Sequence, residues 1–153
     1  MIDTGDTGFM MICSALVLLM TPGLAFFYGG MVRRKNVVNT MMTSIFVIGI
    51  ATVMWVLFGY SLAFGVDHLG IIGDLSHLGL VGLTGKVGEY ASTIPDLGFA
   101  MFQMMFAIIT PALITGAVAG RMKFKALFLF IIFWSTLVYY PMAHMVGGIG
   151  GFL

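Results

Sequence analysis

Four runs of apolar residues, each more than 20 long, occupy most of the 153-residue chain. They extend roughly from Gly8 to Gly30, Val37 to Phe64, Leu97 to Gly120 and Phe124 to Val146. A helix rises about 1.5 Å per residue, so about 20 residues suffice to cross the hydrocarbon core of a bilayer. Lipid cannot satisfy open strand edges or exposed loops, and runs of this length therefore predict helices. The expected class is all-α and polytopic, a single transmembrane domain over residues 1–153.

Polar and small residues punctuate the runs. Thr21-Pro22-Gly23 and Thr110-Pro111 predict kinks, because proline removes a helix hydrogen bond, and the threonine hydroxyl can satisfy a carbonyl of its own helix. Ala112, Gly116 and Gly120 recur every four residues and predict a ridge of small side chains for close helix contact. Residues 66–95, with six glycines from Gly70 to Gly88, predict an external loop of irregular or part-helical pieces, either a structured lid or a passive connector.

Composition agrees with a membrane protein: 60% of residues are hydrophobic and 8% charged. The net charge of +1 points to no nucleic-acid partner, but the placement of charge is informative. Arg33, Arg34 and Lys35 separate the first two runs, and Arg121, Lys123 and Lys125 separate the last two. By the positive-inside rule both turns are cytoplasmic, which puts the N-terminus outside a multi-pass protein of the cell membrane. All six acidic residues then fall on the outer side. The start, MIDTGDTGF, has neither the basic region nor the cleavage site of a signal peptide.

Cys13, the lone cysteine, reads as a small apolar filler. His68 and His77 have no cysteine or tight acidic cluster nearby, so they read as solvated residues and no metal or other cofactor is expected. There is no paired carboxylate, nucleophile with base, or phosphate loop, which argues against an enzyme. Between their end turns the spans carry no Asp, Glu, Lys or Arg, so an ion path would rely on aromatics, hydroxyls and backbone.

One stretch could do so. In FQMMFAIIT, Phe102 and Phe106 lie one helical turn apart with Thr110 continuing the line, and Gln103 points about a quarter turn aside. Phenylalanine is common on packed and lipid-facing helices, so the stripe has a purely structural reading. Its other reading is a set of ring faces that attract a small cation by quadrupole electrostatics.

The segments TPGLAFFYGGMVRRKNV (21–37), WVLFGYSLAFG (55–65), FQMMFAIITPALITGAVAGRMKF (102–124) and YYPMAHMVGG (139–148) resemble, in order, the first part of an ammonium transporter of the Amt/Mep/Rhesus family. The resemblance implies an outer vestibule that recruits ammonium, a gate of which Phe106 is one half, Phe102 above it and Gln103 in support. It also implies transport of ammonia through an apolar pore, a homotrimer, and a PII-type regulator at the cytoplasmic face. Two departures matter. Where most family members carry a vestibule tryptophan, this chain has Gly147, although Rhesus-type members also lack it. The family fold has about eleven spans, and this chain has four. The pore histidines and the fifth-span aspartate fall outside it, and His144 reads as a packing or interface residue. An ammonium-sensing module coupled to a signalling domain, or an inactive truncated transporter, are the alternative readings.

Overall fold

The computed structural model describes residues 1–153. Helix α1 covers Thr4–Met31. Helix α2, Val37–Met54, passes through a π-helical turn at Trp55–Gly59 into α3, Tyr60–Phe64. Helix α4 covers Asp96–Val118. Helix α5, Phe124–Trp134, passes through a second π-helical turn at Ser135–Tyr139 into α6, Tyr140–Gly147. Taken as continuous rods, these give four helices long and apolar enough to cross a membrane: Thr4–Met31, Arg34–Phe64, Asp96–Val118 and Phe124–Gly147. The architecture is all-α, as the apolar runs predict.

Local chemistry explains where the rods begin and end. The Asp3 carboxylate accepts from the Gly5 and Asp6 N–H groups at 2.7 and 3.0 Å, occupying two of the donors that a helix start leaves free. Pro22 and Pro111 both lie inside helices, and neither ends its helix. The Thr110 hydroxyl donates to the Phe106 carbonyl at 2.6 Å, turning back on its own helix as expected. The small-residue ridge is shorter than the spacing suggests. Gly120 lies beyond the end of α4 with φ of +70°, a left-handed conformation that suits glycine after a helix.

Helix α1 packs on α2 and α4, α2 packs on α4, and α6 covers α3. Two buried layers result. Val47, Ala51, Met105, Ile108, Ala112, Leu127 and Ile131 form one, and Trp55, Tyr60, Phe64 and Tyr140 anchor the other with smaller neighbours. In lipid such layers are held by close contact and a few hydrogen bonds more than by exclusion of water. Gly116 illustrates the contact: an added Cβ would overlap the Tyr28 ring, whose hydroxyl donates to the Leu113 carbonyl at 2.9 Å. Between α2 and α4, the Ser44 and Thr115 hydroxyls meet at 3.0 Å, and each also reaches a carbonyl of its own helix, Thr40 at 3.3 Å and Ala112 at 2.7 Å.

The loop over residues 66–95 is ordered and tied down. Asp67–His68 pairs antiparallel with Ile72–Gly73, one 3-10 turn follows at Leu78–Leu80, and Val87 bridges to Pro95. The end of the chain closes onto this loop. The Phe152 N–H donates to the Gly70 carbonyl at 2.9 Å, and the Ile149 N–H donates to the Tyr90 hydroxyl at 3.1 Å.

Candidate functional site

Helix α4 has two contrasting faces. Met105, Ala107, Ile108, Ile109, Ala112 and Thr115 are buried in the bundle. On the opposite side Phe106 is 38% exposed and Phe102 is half-buried, with ring centroids 5.1 Å apart at 81°, an edge-to-face pair. Gln103 is half-buried beside them, and Thr110 continues the line one turn further. Leu113 and Ala117 extend it, both exposed, into a groove of about 460 Å³ lined also by Phe27, Tyr28, Gly116 and Arg121. An aromatic pair therefore leads along one helix face to a groove at the end that carries the basic turns.

Gly147 ends α6, away from the Phe102–Phe106 pair in sequence and beside a different ring. A Cβ placed there would sit 3.6 and 3.9 Å from the Phe64 ring, ordinary van der Waals distances, and its backbone is not left-handed. The first atom of a side chain at this position thus has room, with an aromatic ring beside it. In the complete protein Gly147→Trp should lower the half-saturating ammonium concentration several-fold, equivalent to about 1 kcal/mol of added cation–π attraction. Uptake measured across ammonium concentrations checks it, and a curve superimposable on the parent's would show that the missing indole does not limit capture.

The 66–95 loop borders a second aromatic setting. A cavity of about 480 Å³ is lined by Tyr60, Phe64 and Tyr90 together with Asp67, Glu89 and Asp96. Phe64 and Tyr90 meet edge to face at 5.1 Å, and Phe99 stacks on Tyr90 at 5.2 Å and 6°. The Tyr90 hydroxyl donates to the Phe64 carbonyl at 3.2 Å, and burial pushes its phenol pKa up. The periodicity of the chain does not single out this cavity, because its walls come from α3, the loop and the start of α4. The one sequence signal for it is GYSLAFG, whose two rings and second glycine, Gly65, line the wall.

His77 departs from its solvated reading. Its backbone N–H donates to Ser61 Oγ at 2.9 Å, its Nδ1 donates to the Val81 carbonyl at 3.0 Å, and its ring meets Tyr60 at 6.1 Å. His68 is exposed as expected. His144 is fully buried and packs as the sequence reading has it, with a polar role in addition. Its Nδ1 lies 3.0 Å from the Ala63 carbonyl and its Nε2 lies 3.0 Å from Asp67 Oδ1. A carbonyl only accepts, so Nδ1 carries a hydrogen, and a proton must also lie between Nε2 and the carboxylate. That hydrogen bond holds the Asp67 carboxyl below the usual carboxylate range, with help from the Gly70 N–H and against partial desolvation.

The chain is similar to known proteins over nearly its whole length. It is 54% identical to an ammonium transporter of Bacillus subtilis over 149 residues, covering 97% of this chain and 36% of that protein. It is 51% identical to an ammonium transporter of Mycobacterium tuberculosis over 165 residues, covering 98% of this chain and 35% of that one. Among solved structures it superposes on Mep2 of Saccharomyces cerevisiae with a TM-score of 0.89 and 32% identity, covering 99% of this chain and 33% of that one. The crystal structure of Candida albicans Mep2 gives 0.89 and 30%, with the same coverage. The chain thus spans about a third of the length of the relatives it matches. A family model described as Ammonium Transporter Family matches residues 8–153, and with apolar rods, aromatic stripe and sequence identity in accord, the chain belongs to that family.

Proposed function

We propose that this chain supplies part of the wall of an ammonium-conducting pore, with the outward stripe of α4 as its pore-facing surface. The observation that carries the reading is the continuity of that stripe: Phe102, Phe106 and Thr110, then Leu113 and Ala117, ending in the groove beside Phe27 and Tyr28. The ring pair offers quadrupole attraction to a small monovalent cation at the entrance. Below it the Thr110 hydroxyl, its proton committed to the Phe106 carbonyl and one lone pair facing the Tyr139 phenol, keeps a second lone pair that can accept from an N–H group. Beyond Thr110 the stripe is apolar, which penalises charge and favours passage as neutral ammonia. Ammonium can leave its proton behind on entering such a surface, whereas potassium cannot shed its charge.

The finer assignments follow from the same reading. The basic turns face the cytoplasm, the N-terminus and the Asp67–Asp96 loop lie outside, and the protein works in the cell membrane as a homotrimer open to a PII-type regulator. Phe106 is one half of the gate, and Gln103 supports it. The test is Phe106→Ala in the complete protein. It should lower saturable methylammonium uptake roughly tenfold, or admit potassium that the parent excludes, in line with about 1–2 kcal/mol of aromatic stabilisation at a desolvated site. Unchanged uptake together with unchanged potassium exclusion would reduce the ring to packing.

A further inference from the structure

The 480 Å³ outer cavity holds a feature that the pore reading leaves unexplained. Tyr60 is only 2% exposed, yet no protein group lies within hydrogen-bonding reach of its hydroxyl. Burying a phenol without a partner is unfavourable, so something other than protein normally meets it. The hydroxyl is not sealed in either. The side-chain atoms that are both fully enclosed and unpartnered belong to Thr21, Thr40 and Ser135, so the Tyr60 oxygen keeps some exposure, and the cavity is the space that Tyr60 lines.

Charge around the same space is one-sided. Asp67, Glu89 and Asp96 line it with His77, and no lysine or arginine does. Asp67 is hydrogen-bonded to His144, and neither Glu89 nor Asp96 has a cationic partner. Asp96 is held inward by the shape of the loop: its carboxylate occupies the space over Gly88 where any larger residue would put its Cβ. The rings of Phe64 and Tyr90 complete the wall, 5.1 Å apart.

The chemistry of this set selects its ligand. No three His, Cys, Asp or Glu side chains come together closely enough to hold a metal ion, so a divalent cation is not matched. A phenol oxygen as acceptor, two ring faces and an unpaired carboxylate instead suit a small monovalent cation with N–H groups to donate. Building on the pore reading above, we propose that this cavity is a separate collecting site for ammonium or a small alkylammonium ion, in which Tyr60 accepts a hydrogen bond and Asp96 supplies the counter-charge. The site raises the local concentration of the cation on the outer face. Phe99, whose ring packs on both Phe64 and Tyr90, sits one turn ahead of Phe102 and Gln103 on α4.

The experiment uses the complete protein and two readouts. In the first, methylammonium uptake is followed against concentration for the parent, Tyr60→Phe, Asp96→Asn and Gly88→Ala. Tyr60→Phe keeps the ring and its packing, so it folds if the parent does, and Gly88→Ala pushes the Asp96 carboxylate aside without removing its charge. Each variant should raise the half-saturating concentration about threefold to tenfold with a maximal rate within twofold of the parent, the loss expected for one hydrogen bond or charge contact. In the second, ¹⁵N-ammonium chloride is titrated with purified protein and line broadening is read by NMR. Broadening should fall in Tyr60→Phe and Asp96→Asn and persist in Phe106→Ala.

Parent protein that transports while all three variants keep its half-saturating concentration would overturn the collecting site and leave the pore reading intact. Parent protein that fails to transport, yet broadens ammonium through Tyr60, would remove the pore reading and retain the site. Equal displacement by potassium chloride would overturn the assignment to an N–H donor.

Discussion

Trp55→Ala should destabilise the bundle by about 3–5 kcal/mol, the range for removing a large, fully packed aromatic. Trp55 is 1% exposed, and its ring sits within about 6 Å of those of Tyr60, Phe64 and Tyr140. Its indole N–H also donates to the Ala100 carbonyl at 3.1 Å, joining the C-terminal part of the second rod to α4. Trp55→Phe separates these contributions. It keeps most of the ring contact but loses the donor, and should cost about 1–2 kcal/mol beyond its smaller volume effect. Thermal unfolding in detergent measures both. Two variants equal to the parent would show that this layer is not what holds the outer half together. A loss of ammonium uptake in Trp55→Ala without a fall in stability would instead point to displacement of Tyr60 and Phe64.

The second large effect concerns the buried proton between His144 and Asp67. His144→Ala strands the Ala63 carbonyl and leaves a void where the ring stood, with about 1–3 kcal/mol for the lost partner alone. Asp67→Asn is milder at neutral pH, since an amide can still pair with Nε2, and its signature is in acid. A carboxyl whose folded-state pKa is depressed stabilises the protein fully above its unfolded value, near 3.9, and loses that contribution as pH falls through the folded value. The parent should therefore lose thermal stability below about pH 4 more steeply than Asp67→Asn. Asp74, whose carboxyl is likewise held low by the Ser76 hydroxyl, is present in both proteins and cancels in the comparison. Parallel curves for the two proteins would show that the carboxylate is not held by the imidazole in solution.

The spans were legible because a bilayer imposes one length and one composition on anything that crosses it. The Phe102–Phe106–Thr110 line was legible because three residues one turn apart must share a helix face. The outer cavity was not. Tyr60 and Tyr90 are 30 positions apart, Asp96 begins a different helix, and only the loop between them decides that they meet. The polar partners of His77 and His144 are hidden for the same reason, as Ser61, Val81, Ala63 and Asp67 lie on segments that periodicity does not connect. Gly120 shows the opposite error. Its spacing fitted a ridge, but the helix ends at Val118, and the glycine serves the turn.

The two π-helical turns, at Trp55–Gly59 and Ser135–Tyr139, each hold one more residue than an α-helical ladder would over the same stretch. Since successive residues advance by about 100° around a helix, such an insertion swings everything beyond it by that angle relative to everything before. Tyr60 and Phe64 on one rod, and Tyr140 and His144 on the other, owe their mutual orientation to these two steps. Excising a single residue from either turn would leave an unbroken, equally apolar rod, but one whose outer third presents the wrong side to its neighbours.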